Sequence, residues 1–229
     1  LGNKLVADHP AIKDHLNRIV RREKIYTIPY GSEVVDHADL DVLRKFGLQK
    51  EKYAILIARP EPENNILEVV EAFSRNKRDF KLVVLGHYSA DKLYQSLVMQ
   101  AASSEVIFPG AIYDQHIVRA LRFFARFYIH GHTVGGTNPS LIEAMGVGAA
   151  ILAHDNIFNR WVTADNATYF SSINDCDELI TKMIKNDEMI KDIKNSMQSR
   201  HAEVFKLNLI HVKYEELILG LIKKNPERS

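Results

Sequence analysis

Apolar residues along the chain alternate between two spacings. Near-continuous runs occur at Tyr53–Ala58, Lys81–Gly86, Val106–Phe108, Phe127–His130 and Ala149–Ala153, with a short Tyr169–Phe170 pair after them. Between the runs apolar residues recur at helical spacing. Ile66, Leu67, Val69, Val70 and Phe73 mark one such stretch, followed by Asp91–Ala102, Asp114–Phe124 and the stretch holding Leu141, Ile142 and Met145. Strands without polar alternation, separated by amphipathic helices, predict a doubly wound parallel sheet covered on both faces, a Rossmann-like α/β domain. Before this domain, Lys4–Asp8, Pro10–Arg22 and Lys24–Ile28 read as strand, helix and strand, ended by Pro29-Tyr30-Gly31-Ser32. One β-α-β unit is too small to bury its own core. After the domain, Asp177–Phe205 reads as helix broken near Asn186. Leu207–Lys224 reads as a last helix striped by Ile210, Tyr214, Leu217, Ile218 and Leu221.

Charge and cysteine content narrow the class. Lys+Arg 30 against Asp+Glu 29 leaves a net charge of +1, so no global field draws the chain to nucleic acid. Cys176 is the only cysteine, which excludes an internal disulfide and fits a reducing, cytoplasmic setting. No apolar run approaches the roughly 20 residues of a membrane span, and the first residues are too polar for a signal peptide. The chain begins Leu1-Gly2, which reads as a fragment or a processed product. Arg18, Arg21, Arg22 and Lys24 form a basic cluster, read as solvated helix surface, with peripheral binding at the inner face of a membrane as the alternative.

The chemistry concentrates in His130-Gly-His-Thr-Val-Gly-Gly-Thr-Asn-Pro-Ser-Leu-Ile-Glu-Ala-Met-Gly146. A strand ends, Gly135-Gly136 bends the chain, Asn138 caps a helix and Pro139 takes its first position. Free amides and the positive end of the helix dipole then point at one place, an anion site. Glu143 lies just over one turn in and leans back toward the helix start, one sugar's width behind a bound phosphate. Ligands of open α/β sheets bind beyond the carboxyl ends of strands. Those ends carry Arg59, His87, Gly110–Tyr113, His130, His132 and His154. Arg59 suits bidentate phosphate binding. The histidines are too loosely spaced for a zinc set, so no metal is expected, and hydrogen bonding to sugar hydroxyls suits them better. No G-x-G-x-x-G follows the first strand of the domain, and neither a G-x-x-x-x-G-K-[ST] nor a G-x-S-x-G appears, which argues against dinucleotide oxidoreductases, P-loop nucleotidases and α/β-hydrolases.

Four segments occur in one order: Ile28-Pro-Tyr-Gly31, Ala58-Arg-Pro-Glu-Pro-Glu-Asn64, Phe108-Pro-Gly110 and Thr137-Asn-Pro-Ser-Leu-Ile-Glu-Ala-Met-Gly146. Together they resemble the C-terminal, nucleotide-sugar-binding half of a GT-B glycosyltransferase of family 4. The His-Gly-His-Thr-Val-Gly-Gly-Thr-Asn-Pro wording is similar to bacterial rhamnosyltransferase-like members. The resemblance implies a retaining, metal-free and cofactor-free transfer of a sugar from a nucleoside diphosphate to a glycan or lipid-linked glycan acceptor, as in polysaccharide biosynthesis. It assigns Glu143 to the ribose hydroxyls, Arg59 to the diphosphate, and Ile112 and Tyr113 to the base. The amides of Asn138, Ser140 and Leu141 go to the distal phosphate, and Asn64, His87, His132, Gly135, Gly136 and Thr137 to the rest of the donor. Two departures stand out. The family commonly has a sugar-contacting glutamate with seven residues between it and Glu143, where this chain has Gly135. A lysine usually follows the arginine of the first loop, where this chain has Glu63-Asn64-Asn65.

The resemblance divides the chain into residues 1–31, a remnant of the N-terminal acceptor domain, residues 32–205, the donor domain, and residues 206–229, a crossover helix. Two apolar surfaces then lack cover, so the N-terminal unit and the last helix are expected to pack on each other or on a second copy. Two alternatives remain. A GT-B epimerase or phosphorylase shares the cleft and is separated by product analysis. A non-catalytic module would bind free nucleotide and sugar nucleotide equally.

Overall fold

The computed structural model describes residues 4–224. Six parallel strands form the main sheet: β3 (Tyr53–Ile57), β4 (Lys81–Leu85), β5 (Val106–Ile107), β6 (Phe127–His130), β7 (Ala150–His154) and β8 (Thr168–Phe170), ordered β5-β4-β3-β6-β7-β8. Counted from β3 this is the doubly wound order 3-2-1-4-5-6, which reverses between β3 and β6. Register there pairs Ala54 with Phe127 and Leu56 with Ile129. The strands carry apolar side chains on both faces because helices cover both. Ile55, Leu56, Leu82, Val83, Tyr128, Ile129, Ile151 and Leu152 are all essentially inaccessible, and each aliphatic so buried contributes about 1.5–3 kcal/mol. The α/β expectation therefore holds, strand by strand.

Helices α2 (Ile66–Ser74), α3 (Leu93–Ala101), α4 (Gln115–Phe123) and α5 (Pro139–Gly146) connect the strands. Asn138 caps α5 by accepting from Ser140 N at 2.9 Å, and Pro139 sits in its first turn, as the sequence predicts. Several short elements escaped the sequence reading, two of them outside the strand-end loops. Leu40–Phe46 winds as a 3-10 helix that buries Val42 and Leu43, and α6 (Ile157–Thr163) is capped by Asn156. The following helix, α7 (Ile173–Lys185), starts before the expected Asp177 because Ser172 already caps it, accepting from Asp175 N at 3.1 Å. The break at Asn186 is real: its side chain caps α8 (Asp187–Val204) through Met189 N.

The first residues form a separate two-stranded parallel sheet, β1 (Leu5–Ala7) with β2 (Ile25–Thr27), joined by α1 (Pro10–Leu16). The helix expected to reach Arg22 stops at Leu16. Ile19, which would have continued its apolar face, is 76% exposed with nothing to bury against. The basic cluster accordingly lies on an exposed turn and a short 3-10 helix, not on a helix face. The two chain crossings run side by side. Ser32 N donates to Phe205 O, and Leu207 N donates to Ser32 O. Helix α9 (Leu207–Lys224) then passes along the N-terminal unit. A groove of about 380 Å³ separates Lys4, Tyr26 and Ile28 from Lys213, Leu217 and Leu221. Of the predicted α9 stripe only Ile210 is fully buried, while Tyr214 and Ile218 stay exposed.

Candidate active site

A cleft of about 800 Å³ opens where the strand order reverses, beyond the carboxyl ends of β3, β4 and β6. Of the residues singled out from sequence, Arg59, Asn64, His87, Ile112, Tyr113, His132, Gly135, Asn138, Ser140 and Glu143 line it. Their roles in its wall differ. Asn64 is almost wholly buried and donates to Arg59 O at 2.8 Å, so it shapes the loop that carries the arginine. Tyr113 is 86% exposed and stands at the mouth. Arg78, Arg119, Arg122, Arg126 and Arg160 each hold a carboxylate. Arg59 faces the cleft without one among the described residues, so its charge is available to an anion.

Three of the residues assigned to the donor stand elsewhere, as do His130 and His154. Leu141 is fully buried in the core. Its amide closes on Asn138 O, and the Ser140 amide is taken by the Asn138 side chain. The helix start therefore caps itself, and a ligand phosphate competes there with the Asn138 side chain for the Ser140 amide. Gly136 and Thr137 turn away from the cleft toward Asp8, at the end of β1. Thr137 N donates to Asp8 Oδ2 at 2.9 Å, with Thr137 Oγ1 3.2 Å from the same oxygen. A Cβ on Gly136 would lie 2.2 to 2.5 Å from the Asp8 carboxylate, so only glycine lets that acid reach the loop. Gly135 has φ +124, a conformation that L side chains rarely adopt.

Two of the histidines stack on each other. His130 and His132 lie with ring centroids 4.3 Å apart and planes 8° from parallel. Burial and then neighbouring His132 hold His130 well below the usual imidazole range. Burial, reinforced by Arg59 and opposed by Glu63, takes His132 down to about 4. Both rings are neutral at pH 7, and His132 presents a neutral imidazole beside Arg59. Among the described residues no three His, Cys, Asp or Glu side chains gather as a cation-holding group. Asn156 and Asn159 fix the loop after β6 by donating to His132 O at 2.9 and 3.0 Å. The sequence reading missed both, and also missed Asp8 and Arg122. Arg122 Nη2 lies 2.6 Å from Glu143 Oε2 and 3.0 Å from Ser140 Oγ.

An arginine, a helix start and a carboxylate thus stand around the switch point of a doubly wound sheet, where ligands of open α/β sheets bind. Residues 41–200 match the family described as Glycosyl transferases group 1, and the chain belongs to that family. No curated protein sequence matches it. Among solved structures it is similar to a glycosyltransferase from Rickettsia africae ESF-5, with a TM-score of 0.81, 18% identity, and coverage of 99% of this chain and 64% of that one. Similarity to a sucrose-phosphate synthase from Thermosynechococcus elongatus gives 0.81 at 16% identity, over 98% and 59% of the chains. HepE from Anabaena, in complex with UDP and glucose, gives 0.84 at 14% identity, over 96% and 64%. The chain thus spans about three fifths of these structures, and it shares their GT-B-type fold. No helix among the described residues is long and apolar enough to cross a membrane.

Proposed function

We propose that the chain is the donor-binding half of a retaining glycosyltransferase that moves a sugar, a 6-deoxyhexose such as rhamnose, from a nucleoside diphosphate to a glycan or lipid-linked glycan acceptor. The observation that carries this reading is the cleft itself. It sets the uncompensated Arg59, the start of α5 and Glu143 around one space at the switch point of the sheet. In this reading Arg59 and the helix start receive the diphosphate, Glu143 takes the ribose hydroxyls, and the base lies by Ile112 and Tyr113. As the bond to the anomeric carbon breaks, negative charge grows on the departing diphosphate, and the same two groups stabilise it, the helix start once the Asn138 side chain has yielded the Ser140 amide. Neutral His132 beside Arg59 offers a hydrogen bond to a sugar hydroxyl and adds no competing charge.

Residues 1–31 are assigned to the acceptor-binding domain, which the relatives' greater length supports. The acceptor contacts belong to that domain, so the chain by itself binds donor and does not transfer it. The transfer needs no metal or cofactor, and we place it in the cytoplasm, with the inner face of the membrane as the alternative. Calorimetry against UDP, dTDP and GDP with their sugar conjugates tests the reading. Binding of at least one nucleoside diphosphate, tighter than its nucleoside, is expected. Absence of binding to all of them refutes it.

A further inference from the structure

Arg122 sits in the wall of the cleft and has no role in the reading above. On α4, Gln115, Val118 and Arg122 share one helical face, and all three line the cleft. The Arg122 side chain is 4% exposed, against 41% for Glu143. Its Nη2 bridges Glu143 Oε2 and Ser140 Oγ. Ser140 Oγ is held in turn by Tyr128 at 2.8 Å and donates to Ile57 O at 3.3 Å. Arg122 is thus anchored to β3, β6 and α5 together. Its Nε is buried without a hydrogen-bond partner among the described residues. A charge buried at such cost needs a use beyond joining two helices, since well-packed apolar side chains would join them at least as well.

Glu143 supplies that use. It borders two spaces, the main cleft and a second cavity of about 240 Å³ lined also by Ser32, Glu33 and Arg119. A glutamate on a helix can swing between such spaces, because its side chain has several accessible rotamers. Arg122 touches both spaces too and takes one carboxylate oxygen, Oε2. We infer that Arg122 is a positioning residue that aims Glu143 into the cleft, so recognition of a sugar-ring hydroxyl of the nucleoside depends on Arg122 while phosphate binding does not. The inference rests on the nucleoside diphosphate reading of the cleft. With Oε2 fixed, Oε1 remains as the acceptor for a ligand hydroxyl. Without Arg122 the carboxylate turns toward Arg119 or solvent, and the ligand meets no ordered acceptor.

The test measures selectivity, which a merely structural role would leave alone. UDP, dTDP and GDP are titrated against their 3′-deoxy analogues, and inorganic pyrophosphate is titrated separately, on the wild type, Arg122→Met and Arg122→Lys. Wild type is expected to prefer the hydroxyl-bearing ligand by about tenfold or more, the size of one hydrogen bond to a charged group. In Arg122→Met that ratio falls toward one, while pyrophosphate affinity stays within about twofold, a difference too small to reflect a lost contact. Arg122→Lys keeps the charge but cannot fork to both Glu143 and Ser140, so its ratio lies between the two. It also decides the matter should the methionine variant fail to fold. A folded variant that keeps the wild-type ratio overturns the inference, as does a wild type that binds nucleotide without preferring the hydroxyl. A wild type that binds no nucleoside diphosphate overturns the site reading itself.

Discussion

Replacing Gly136 by alanine tests how the N-terminal unit meets the glycine loop. The new Cβ would fall 2.2 Å from Asp8 Oδ2 and 2.3 Å from Oδ1, well inside contact distance. The backbone at Gly136 is not in the left-handed region, so alanine carries no conformational penalty there. Taken alone it should stabilise by about 0.4–1 kcal/mol, through reduced freedom of the unfolded chain. Against this, the Asp8 carboxylate must swing away and release Thr137 N and Oγ1. Hydrogen bonds to a charged group contribute about 1.5–3 kcal/mol, and the half-buried position of Asp8 puts this pair at the low end. The net is a loss of about 1 kcal/mol, which for a chain of this size lowers Tm by roughly 2–4 °C. The cause is one side chain, so the sign must reverse when that side chain is removed. In an Asp8→Ala background the same Gly136→Ala change should raise Tm. Differential scanning calorimetry on the four proteins of this double-mutant cycle measures the coupling directly. A Gly136→Ala protein melting at or above wild type would refute the contact, and so would the same loss with or without Asp8.

Other expectations address the ligand and the protons. Glu143→Gln should weaken nucleoside diphosphate binding by roughly 1–3 kcal/mol in calorimetry without lowering Tm by more than a few degrees, and unchanged affinity would end the ribose assignment. Arg59→Ala should cost diphosphate affinity strongly and nucleoside affinity hardly at all; equal losses would make Arg59 structural. Excess EDTA should leave donor affinity unchanged, and a loss restored by a divalent cation would overturn the metal-free reading. Acid should destabilise the chain. Burial lowers the pKa of folded His132 and His201 to about 4 and that of His130 well below its usual value. Below about pH 6.5, the ordinary imidazole value, the unfolded state therefore binds more protons than the folded one. The stability that these neutral rings supply is complete above that pH and is lost as pH falls toward about 4. A Tm that stays flat between pH 7.5 and 4.5 would contradict their burial.

What was legible in the sequence was what local pattern encodes. The apolar runs at Tyr53 and Lys81 had only one way to bury both faces, and the Asn138-Pro139 pair carries its helix start in two residues. The limits of α1 were not local. Ile19 continues a helical period, but a period extends a helix only where there is something to bury against, and the partner surface ends at Leu16. Arg122 lies between Leu121 and Phe123 as an ordinary helix-surface cation would. Its burial depends on Glu143, Ser140 and Tyr128, which arrive from other elements. Asp8 meets Thr137 across 129 positions of sequence, and no window along the chain joins them.

The glycine loop shows how such a distant contact can still leave a trace. At Gly135 the backbone sits at φ +124. An L side chain there would be strained whatever space it had. At Gly136 the demand is space: an acid from β1 occupies the volume of a side chain. The adjacent pair of glycines thus serves two unrelated requirements, one of conformation and one of room. Gly136 admits the Asp8 carboxylate from the N-terminal unit to the Thr137 amide. The acid on the loop comes from outside the six-stranded sheet and its helices. The Asp8–Thr137 hydrogen bonds therefore join the N-terminal unit to the glycine loop. The loop that adjoins Asn138 at the start of α5 is in this way mechanically tied to the first strand of the chain.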